Sequence, residues 1–186
     1  MKIVLATHNM DKCAEMKSIM RGTPVKLLTL NEYPKIGEII ENGRTLLENA
    51  LIKAQYVYKS LKAPVLADDS GLEVDCLGGQ PGIFSSRYSK AGTDVSNTKK
   101  LLTELNKTHN KIRRARFRCS MVCIVEDVDK PIYSEGVLEG QISNVPRGKR
   151  GFGYDPVFFL PELGLCVAEI SQEQKNKISH RSAAFN

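Results

Sequence analysis

The sequence predicts an α/β fold built on one mixed sheet, partly parallel and partly antiparallel, with flanking helices. In the first 67 residues, short apolar runs typical of buried strands alternate with segments of helical period. From residue 113 onward, long segments of alternating polar and apolar residues predict paired strands. The chain has 186 residues and carries no repeat or linker, so we expect a single domain over residues 1–186.

The elements of the first half follow from apolar runs and helix-terminal signals. Gly22 is typical of a helix C-terminus, and Thr45 with Glu48 forms a capping box that opens a helix. A buried strand ends, on this reading, at Asp68-Asp69-Ser70-Gly71. The predicted elements are strands at 2–6, 25–30 and 65–67 and helices at about 10–20 and 46–60.

The second half is predicted from turn residues and strand periodicity. Glycine and proline at 78–82 and at 146–153 indicate a turn and a loop, and 127–131 turns one long strand into its hairpin partner. Ser171 and Gln174 form a second capping box. The predicted elements are helices at 95–105 and after Ser171, and strands at 113–125, about 132–143 and 154–160.

Composition excludes several classes of protein. The longest apolar run, residues 121–125, is five residues, whereas a membrane span needs about 18. The apolar run at the N-terminus is too short for a signal peptide. Five widely spaced cysteines without a C-x-x-C motif indicate reduced thiols rather than a disulfide framework. We therefore expect a cytoplasmic protein that makes no membrane contact.

The net charge of +6 is modest and lysines are scattered along the chain, but basic residues cluster at 113–118 and at 147–150. Along a strand, Arg114, Arg116 and Arg118 point to one face of the sheet. Such a row is either a solvated sheet face or a site for a polyanion, a nucleic acid or a nucleotide phosphate chain.

Three segments carry residues suited to chemistry. Thr7-x-Asn9-x-x-Lys12 stands at a helix N-terminus, where it is either an ordinary cap or a phosphate cradle. Asp68-Asp69 after a strand is either a turn or a pair of carboxylates able to hold Mg²⁺ or position a water. Gly151-Phe-Gly-Tyr-Asp155 is either a core aromatic beside a loop or a surface on which a base stacks.

The histidine and arginine near the C-terminus form a fourth candidate. His180 and Arg181 are either part of an exposed tail or donors suited to a carbonyl oxygen.

Six motifs occur in a characteristic order along the chain. They are T-H-N-M-D-K at 7–12, E-N-G-R-T-L-L-E-N-A at 41–50, A-D-D-S-G-L at 67–72, G-G-Q-P-G at 78–82, G-F-G-Y-D-P at 151–156 and S-H-R at 179–181. In this combination the chain resembles the inosine/xanthosine triphosphate pyrophosphatase family over residues 2–181. The resemblance implies hydrolysis of ITP, dITP and XTP to the monophosphate and pyrophosphate, with Mg²⁺ as cofactor.

The resemblance also implies the architecture and the partners. The fold of the family is an elongated mixed sheet with flanking helices and two lobes around a central substrate cleft. Its members are usually homodimers, and a stable nucleic-acid partner is not expected.

Site residues are implied by the resemblance, position by position. Asp69 is the expected base and, with Glu41, the metal ligand. The substrate contacts expected at the triphosphate and beside it are Thr7, His8, Asn9, Met10, Asp11, Lys12, Lys53, Ser70 and Lys175. Phe152 is expected to stack on the purine with Gly153, Tyr154 and Asp155 in the same loop, and His180 and Arg181 to face the 6-keto oxygen.

The chain departs from the family pattern at its C-terminus. The family continues into a helix after Ser179-His180-Arg181, whereas only five residues follow Arg181 here. We therefore expect His180 and Arg181 to lie on a weakly anchored chain end. Two alternatives to the purine pyrophosphatase stay open: a nucleic-acid-binding module that uses the basic clusters, and a pyrophosphatase acting on modified pyrimidine nucleotides.

Overall fold

The computed structural model of the chain describes residues 1–108, 112–126 and 130–186 and confirms the α/β class. The predicted hairpin turn at 127–131 lies partly outside the described residues. The strands are β1 (Lys2–Leu5), β2 (Lys26–Thr29), β3 (Val65–Val74), β4 (Pro81–Gly82), β5 (Arg114–Ile124), β6 (Ile132–Ile142), β7 (Phe158–Leu160) and β8 (Leu165–Cys166). The helices are α1 (Met10–Ile19), α2 (Leu46–Leu61), α3 (Asp94–Lys107), α4 (Gln172–Ile178) and α5 (His180–Phe185).

The sheet is mixed, as predicted. Its strand order is β2-β1-β3-β5-β6-β7-β8, and β4 pairs with β3 outside this path. Strand β1 is parallel to β2 and to β3, whereas β4 is antiparallel to β3 and β7 is antiparallel to both β6 and β8. Parallel pairing therefore belongs to the N-terminal strands, where helices alternate with strands along the chain.

Two predicted strand boundaries are wrong. Strand β3 does not end at Asp68 but continues to Val74, and eight of its ten residues are buried. A D-D-S-G segment is compatible with a central strand here because cationic side chains offset the charge of its carboxylates and an amide donates a hydrogen bond to one of them. The strand predicted from Tyr154 begins only at Phe158, because the amide of Val157 turns back to the carbonyl of Tyr154 at 3.0 Å.

The chain divides into two compact units, each with its own core. The first comprises 1–69, 119–136 and 181–186, and the second 70–118 and 137–180. The expectation of one domain over 1–186 stays a prediction. All five cysteines are free thiols, as predicted. No helix in the described part of the chain is long and apolar enough to cross a membrane.

In the first unit, successive residues of the central strands enter two different hydrophobic clusters. Leu5 and Leu66 pack with Met16 of α1, whereas Val4 and Val65 pack with Ala54 of α2. This alternation is the ordinary period-2 pattern of a strand with a helix on each face. It determines which helix each later residue of β3 approaches.

Candidate functional site

Strand pairing brings two of the predicted motifs to one end of the sheet. Leu5, the last residue of β1, lies beside Leu66 of the parallel strand β3. The segment 7–12 therefore leaves β1 at the level at which β3 continues into Asp68 and Asp69. At this level of the sheet, the two aspartates contact polar side chains from the helices that cover its faces.

The side chains of the adjacent aspartates lie on opposite faces of β3. Asp68 continues the row of Leu66 and pairs with Lys12 of α1, and Asp69 continues the row of Ala67 and contacts Lys53 of α2. The two carboxylates therefore do not bind one ion side by side, as their adjacency in sequence suggested. Each has a separate set of partners.

On the α1 face, Asp68 is the centre of a buried ion cluster. Its Oδ2 lies 2.9 Å from Lys12 Nζ and 3.3 Å from Arg181 Nε, and Arg181 Nη1 lies 3.3 Å from Oε2 of buried Glu15. Burial alone raises the pKa of the Asp68 carboxyl, but Lys12, Arg181 and Lys53 outweigh it and hold that pKa well below its ordinary value. Asp68 is therefore a permanent anion that anchors cations.

The C-terminal residues are anchored by this cluster, and the expectation of a weakly anchored chain end is wrong. His180 and Arg181 are both 3% exposed. Ser134 Oγ donates to the carbonyl of Ala184 at 2.6 Å, which fixes α5 in the first unit. This helix of six residues is held in place by ion pairs, by the hydrogen bond from Ser134 and by packing of Ala184 and Phe185 in the core, rather than by its own length.

On the α2 face, Lys53 brings two carboxylates together. Its Nζ lies 3.1 Å from Glu41 Oε1 and 3.4 Å from Asp69 Oδ1. Asn49, one turn earlier on α2, donates from Nδ2 to Asp69 Oδ2 at 3.1 Å and accepts from the amide of Gly43 at 2.8 Å. Helix α2 thus fixes Asp69 directly and the loop that carries Glu41 through Gly43.

The charge on Lys53 is stabilised in this setting. Burial lowers the pKa of the ammonium, but Asp69, Asp68 and Glu41 together raise it above its ordinary value. Lys53 therefore stays protonated although it is almost fully buried.

The donor set on this face fits a magnesium ion. Among the described residues, no group of three or more His, Cys, Asp or Glu side chains could hold a metal. Magnesium, however, is usually held by one or two carboxylates together with substrate phosphates and water. Glu41 and Asp69 offer two carboxylates on this face, each within hydrogen-bonding distance of Lys53 Nζ.

The segment 7–12 has the geometry of an ordinary helix cap. Asn9 is the N-cap of α1: its Oδ1 accepts from the amide of Lys12 at 3.0 Å, and its own amide donates to Thr7 Oγ1 at 3.2 Å. His8 Nε2 lies 3.2 Å from the carbonyl of Gly37. The cap interpretation is therefore confirmed, and contact of this segment with a phosphate stays a prediction.

The second unit holds the aromatic-glycine loop. Asp155 Oδ2 accepts from the amide of Phe152 at 3.1 Å and from Nζ of buried Lys175 at 2.6 Å. The same ammonium lies 4.7 Å from the centroid of the Phe152 ring. Lys175, which was expected to contact the triphosphate, is thus placed beside the loop expected to receive the base.

Two further predicted residues belong to the core of the second unit. Tyr154 is buried and donates its hydroxyl to the carbonyl of Ser85 at 2.8 Å. The His180 ring stacks on Phe117, with centroids 4.9 Å apart and an interplanar angle of 18°. Ser70 is half-buried in β3, one residue after Asp69.

Sequence reasoning missed two residues that organise the first unit, Glu15 and Asn49. Both are buried polar side chains on helices, and each contacts a predicted site residue: Glu15 contacts Arg181, and Asn49 contacts Asp69. Asn49 belongs to a motif that the sequence analysis singled out, whereas Glu15 had no recognisable signal. Its partner Arg181 is 166 residues away along the chain.

Three arginines of the basic clusters are paired with neighbouring acids. Arg116 contacts Glu73, Asp75 and Glu139, and Arg118 Nε lies 3.5 Å from Glu73. In the second cluster, Arg147 Nη2 lies 3.1 Å from Glu169. This pattern favours a solvated, ion-paired sheet face over a site for nucleic acid.

Comparisons with known proteins agree with the motif order. Residues 3–186 match the model of the Ham1 family. A dITP/XTP pyrophosphatase of Listeria monocytogenes serotype 4b is 45% identical over 185 residues, covering 99% of this chain and 91% of the relative. A second dITP/XTP pyrophosphatase, from Thioalkalivibrio sulfidiphilus, is 45% identical over 187 residues, covering 100% of this chain and 95% of the relative.

A solved structure is similar over the same extent. The HAM1 protein of Coxiella burnetii superposes with a TM-score of 0.89 at 41% identity, covering 99% of this chain and 94% of that chain. Sequence and structure therefore give the same relationship. The chain belongs to the Ham1 family.

Proposed function

We propose that this chain hydrolyses the non-canonical purine triphosphates ITP, dITP and XTP to the monophosphate and pyrophosphate. The observation that carries the proposal is the arrangement around Lys53, where Asp69 and Glu41 lie against one buried ammonium. The relatives named dITP/XTP pyrophosphatase, 45% identical over nearly the whole chain, supply the substrate class.

Asp69 is the proposed general base. Asn49 and Lys53 hold its two carboxylate oxygens, so the carboxylate is oriented before any substrate arrives. Asp69 takes the proton from the water that attacks the α-phosphorus, and the bond to the leaving pyrophosphate breaks. Asp68 is unsuited to this step, because its negative charge is held by Lys12 and Arg181.

Lysine side chains offset the charge on the leaving pyrophosphate. Lys12 and Lys53 are the proposed phosphate contacts, with Thr7, Asn9 and the rest of segment 7–12 at the N-terminus of α1. A helix N-terminus offers backbone amides and a positive dipole to an anion. Positioning and charge stabilisation account for most of the catalysis of phosphoryl transfer.

Glu41 and Asp69 are the proposed ligands of Mg²⁺. When bound, the ion neutralises phosphate oxygens and orients the polyphosphate. The remaining phosphate contacts proposed from the family are Ser70 and Lys175.

The purine ring of the nucleotide is the proposed ligand of the aromatic-glycine loop. Phe152 offers a ring for stacking, with Gly153, Tyr154 and Asp155 in the same loop. His180 and Arg181 are the proposed donors to the 6-keto oxygen. A site built to donate to a keto oxygen disfavours the amino group of adenine, because its buried donors are then left unpaired.

We further propose that the chain forms a homodimer, has no stable nucleic-acid partner and is located in the cytoplasm. The free cysteines support a reducing compartment.

A substrate panel tests the function. ITP, dITP, XTP, ATP and a modified pyrimidine triphosphate are incubated with and without Mg²⁺, and pyrophosphate and orthophosphate are measured separately. We expect pyrophosphate from the first three, at least tenfold faster than from ATP, and only with the metal. Equal release from ATP and ITP, or orthophosphate as the product, contradicts the proposal.

Asp69→Asn tests the proposed base. The substitution keeps an acceptor and the size of the side chain but removes the proton acceptor, so we expect kcat to fall by about 10²–10⁴-fold. Asp75→Asn is the matched control, because Asp75 stands just after β3 and pairs with Arg116 on the sheet face. A fall of less than tenfold in Asp69→Asn, with its melting temperature kept, would exclude Asp69 as the base.

A further inference from the structure

Helix α3 contacts the aromatic-glycine loop through two polar side chains that neither the motifs nor the family resemblance singled out. Asp94, the first residue of α3, accepts from the amide of Gly153 through Oδ2 at 2.6 Å. Thr98, one turn later on the same face, donates from Oγ1 to the carbonyl of Gly153 at 3.4 Å. The amide and the carbonyl of Gly153 are therefore both hydrogen-bonded to side chains of α3.

Asp94 is not needed to cap its own helix. The N-cap of α3 is Thr93, whose side chain accepts from the amide of Ser96 while Ser96 accepts from the amide of Thr93. The carboxylate of Asp94 is directed instead to a residue 59 positions along the chain. An exposed aspartate that makes a short, charge-assisted hydrogen bond to a loop amide is well suited to fixing that loop.

Gly153 is a point at which the loop needs such support. Gly151 and Gly153 both have positive φ angles, of 72° and 63°, on either side of Phe152. Asp155 holds the N-terminal side of the loop by accepting from the amide of Phe152. Asp94 and Thr98 supply the hold on the C-terminal side.

Packing leaves room beside this contact. A cavity of about 470 Å³ is lined by α3 residues, Asp94 and Thr98 among them, and by Gly153 and Pro156 of the loop. The hydrogen bonds to Gly153 therefore lie at the wall of an open pocket.

We propose that Asp94 and Thr98 are positioning residues that hold Gly153, and through it the Phe152 ring, in the conformation that accepts the purine. The inference rests on the proposed function and adds a specificity determinant to it. Loss of the hold weakens binding of the base without changing the groups that act on the phosphate. The signature is therefore a higher KM for ITP with little change in kcat.

Steady-state kinetics of Asp94→Ala with ITP test the inference. We expect KM to rise by about tenfold or more while kcat stays within about threefold. Asp94→Asn keeps an oxygen that can accept from Gly153 and should restore most of the wild-type KM. Thr98→Val, which removes the weaker contact, should give a smaller rise in KM than Asp94→Ala.

Inhibition by inorganic tripolyphosphate separates positioning of the base from a general defect. This ligand has no base, so its inhibition constant should be the same in Asp94→Ala and the wild type. Glu104→Ala is the matched control: Glu104 is another acidic residue of α3, paired with Lys107, and its loss should leave KM unchanged. Melting temperatures of all variants are measured alongside.

The outcomes are distinguishable. Wild-type enzyme that does not hydrolyse ITP overturns the proposed function, and this inference with it. Active wild type with an unchanged KM in Asp94→Ala overturns the inference alone. A lower kcat with unchanged KM, or weaker tripolyphosphate inhibition, assigns Asp94 a purely structural role and also overturns it. Should Asp94→Ala not fold, Thr98→Val decides: a raised KM for ITP supports the inference, and a wild-type KM overturns it.

Discussion

Asp68 shows how a single residue can be essential to a site without taking part in the chemistry. It is fully buried, and its oxygen is shared by Lys12 and Arg181. A buried ion pair contributes little net stability when complete, but removal of one partner leaves a buried charge uncompensated. The value of Asp68 therefore lies in keeping Arg181 and α5 in place.

Asp68→Asn should destabilise the protein strongly. We expect the free energy of unfolding to fall by about 3–5 kcal/mol, because the substitution removes the Asp68 charge that faces the buried guanidinium of Arg181. The ion pair between Arg181 and Glu15 stays. Urea unfolding measures the change. Asp75→Asn, which breaks a half-exposed pair with Arg116, should cost at most about 1 kcal/mol. Equal losses in the two variants would contradict this view of the cluster.

Tyr154 provides a pH-dependent test at the same scale. Burial, with smaller effects of Tyr88 and Asp94, raises the pKa of the Tyr154 hydroxyl above its ordinary value. Because the folded pKa is the higher one, its contribution is complete below the unfolded pKa of about 10 and is lost as pH rises beyond it.

Tyr154→Phe should lower the free energy of unfolding at pH 7 by about 1–3 kcal/mol, since the carbonyl of Ser85 loses its buried donor. Between pH 9 and about 11, the wild type should lose stability more steeply than the variant. Denaturant titrations at several pH values give both slopes. Parallel slopes would show that the hydroxyl titrates equally in both states.

At the scale of elements, β3 and the aromatic-glycine loop place the candidate residues in different ways. Strand β3 uses its alternation to give Asp68 to α1 and Asp69 to α2. The loop instead relies on glycines with positive φ and on hydrogen bonds from Asp155, Asp94 and Thr98. Pairing with neighbouring strands fixes the position of β3. The position of the loop depends on its polar contacts.

Gly151→Ala should disrupt the loop. A Cβ at Gly151 would collide with the carboxylate of Asp155, in addition to the strain of a positive φ. We expect KM for ITP to rise by about tenfold or more, measured by steady-state kinetics. Gly164→Ala is the matched control, since Gly164 has a similar φ of 67° but nothing within 4 Å of the added Cβ. If both variants keep the wild-type KM, the loop does not set the affinity for the base.

At the scale of the whole molecule, the net charge of +6 is a weak guide to partners. Arg116 and Arg118 of β5 have acidic neighbours on β3 and β6, so two members of the positive row in the sequence form ion pairs on the sheet. Charge that is offset locally attracts a polyanion only weakly.

Binding of a labelled single-stranded RNA or DNA oligonucleotide should accordingly be weaker than about 1 μM at physiological salt. Fluorescence anisotropy over a salt series measures it. Glu73→Gln, which removes the shared partner of Arg116 and Arg118, should tighten the residual binding. Submicromolar binding by the wild type, falling steeply with salt, would restore the nucleic-acid alternative.

The sequence determined the elements whose signals are local. Thr45 and Ser171 cap helices as predicted, because an N-cap depends only on the next three residues. The capping box is complete at Ser171, whereas Glu48 accepts from the amide of Arg44 instead of that of Thr45. The mixed sheet followed from the period of its strands. The motif order indicated the family, which the comparisons confirm.

Tertiary structure decided what depends on partners distant in sequence. Asp68 and Asp69 remain inside a strand because Lys12, Lys53 and Arg181 offset their charge and Asn49 donates a hydrogen bond to Asp69. No local signal in the sequence shows those neighbours. No local signal shows the partner of Glu15, the contact of Asp94 with Gly153 or the ion pairs that anchor the end of the chain. A strand or a cap is fixed by adjacent residues, whereas a buried charge is tolerated only where the fold brings its counter-charge.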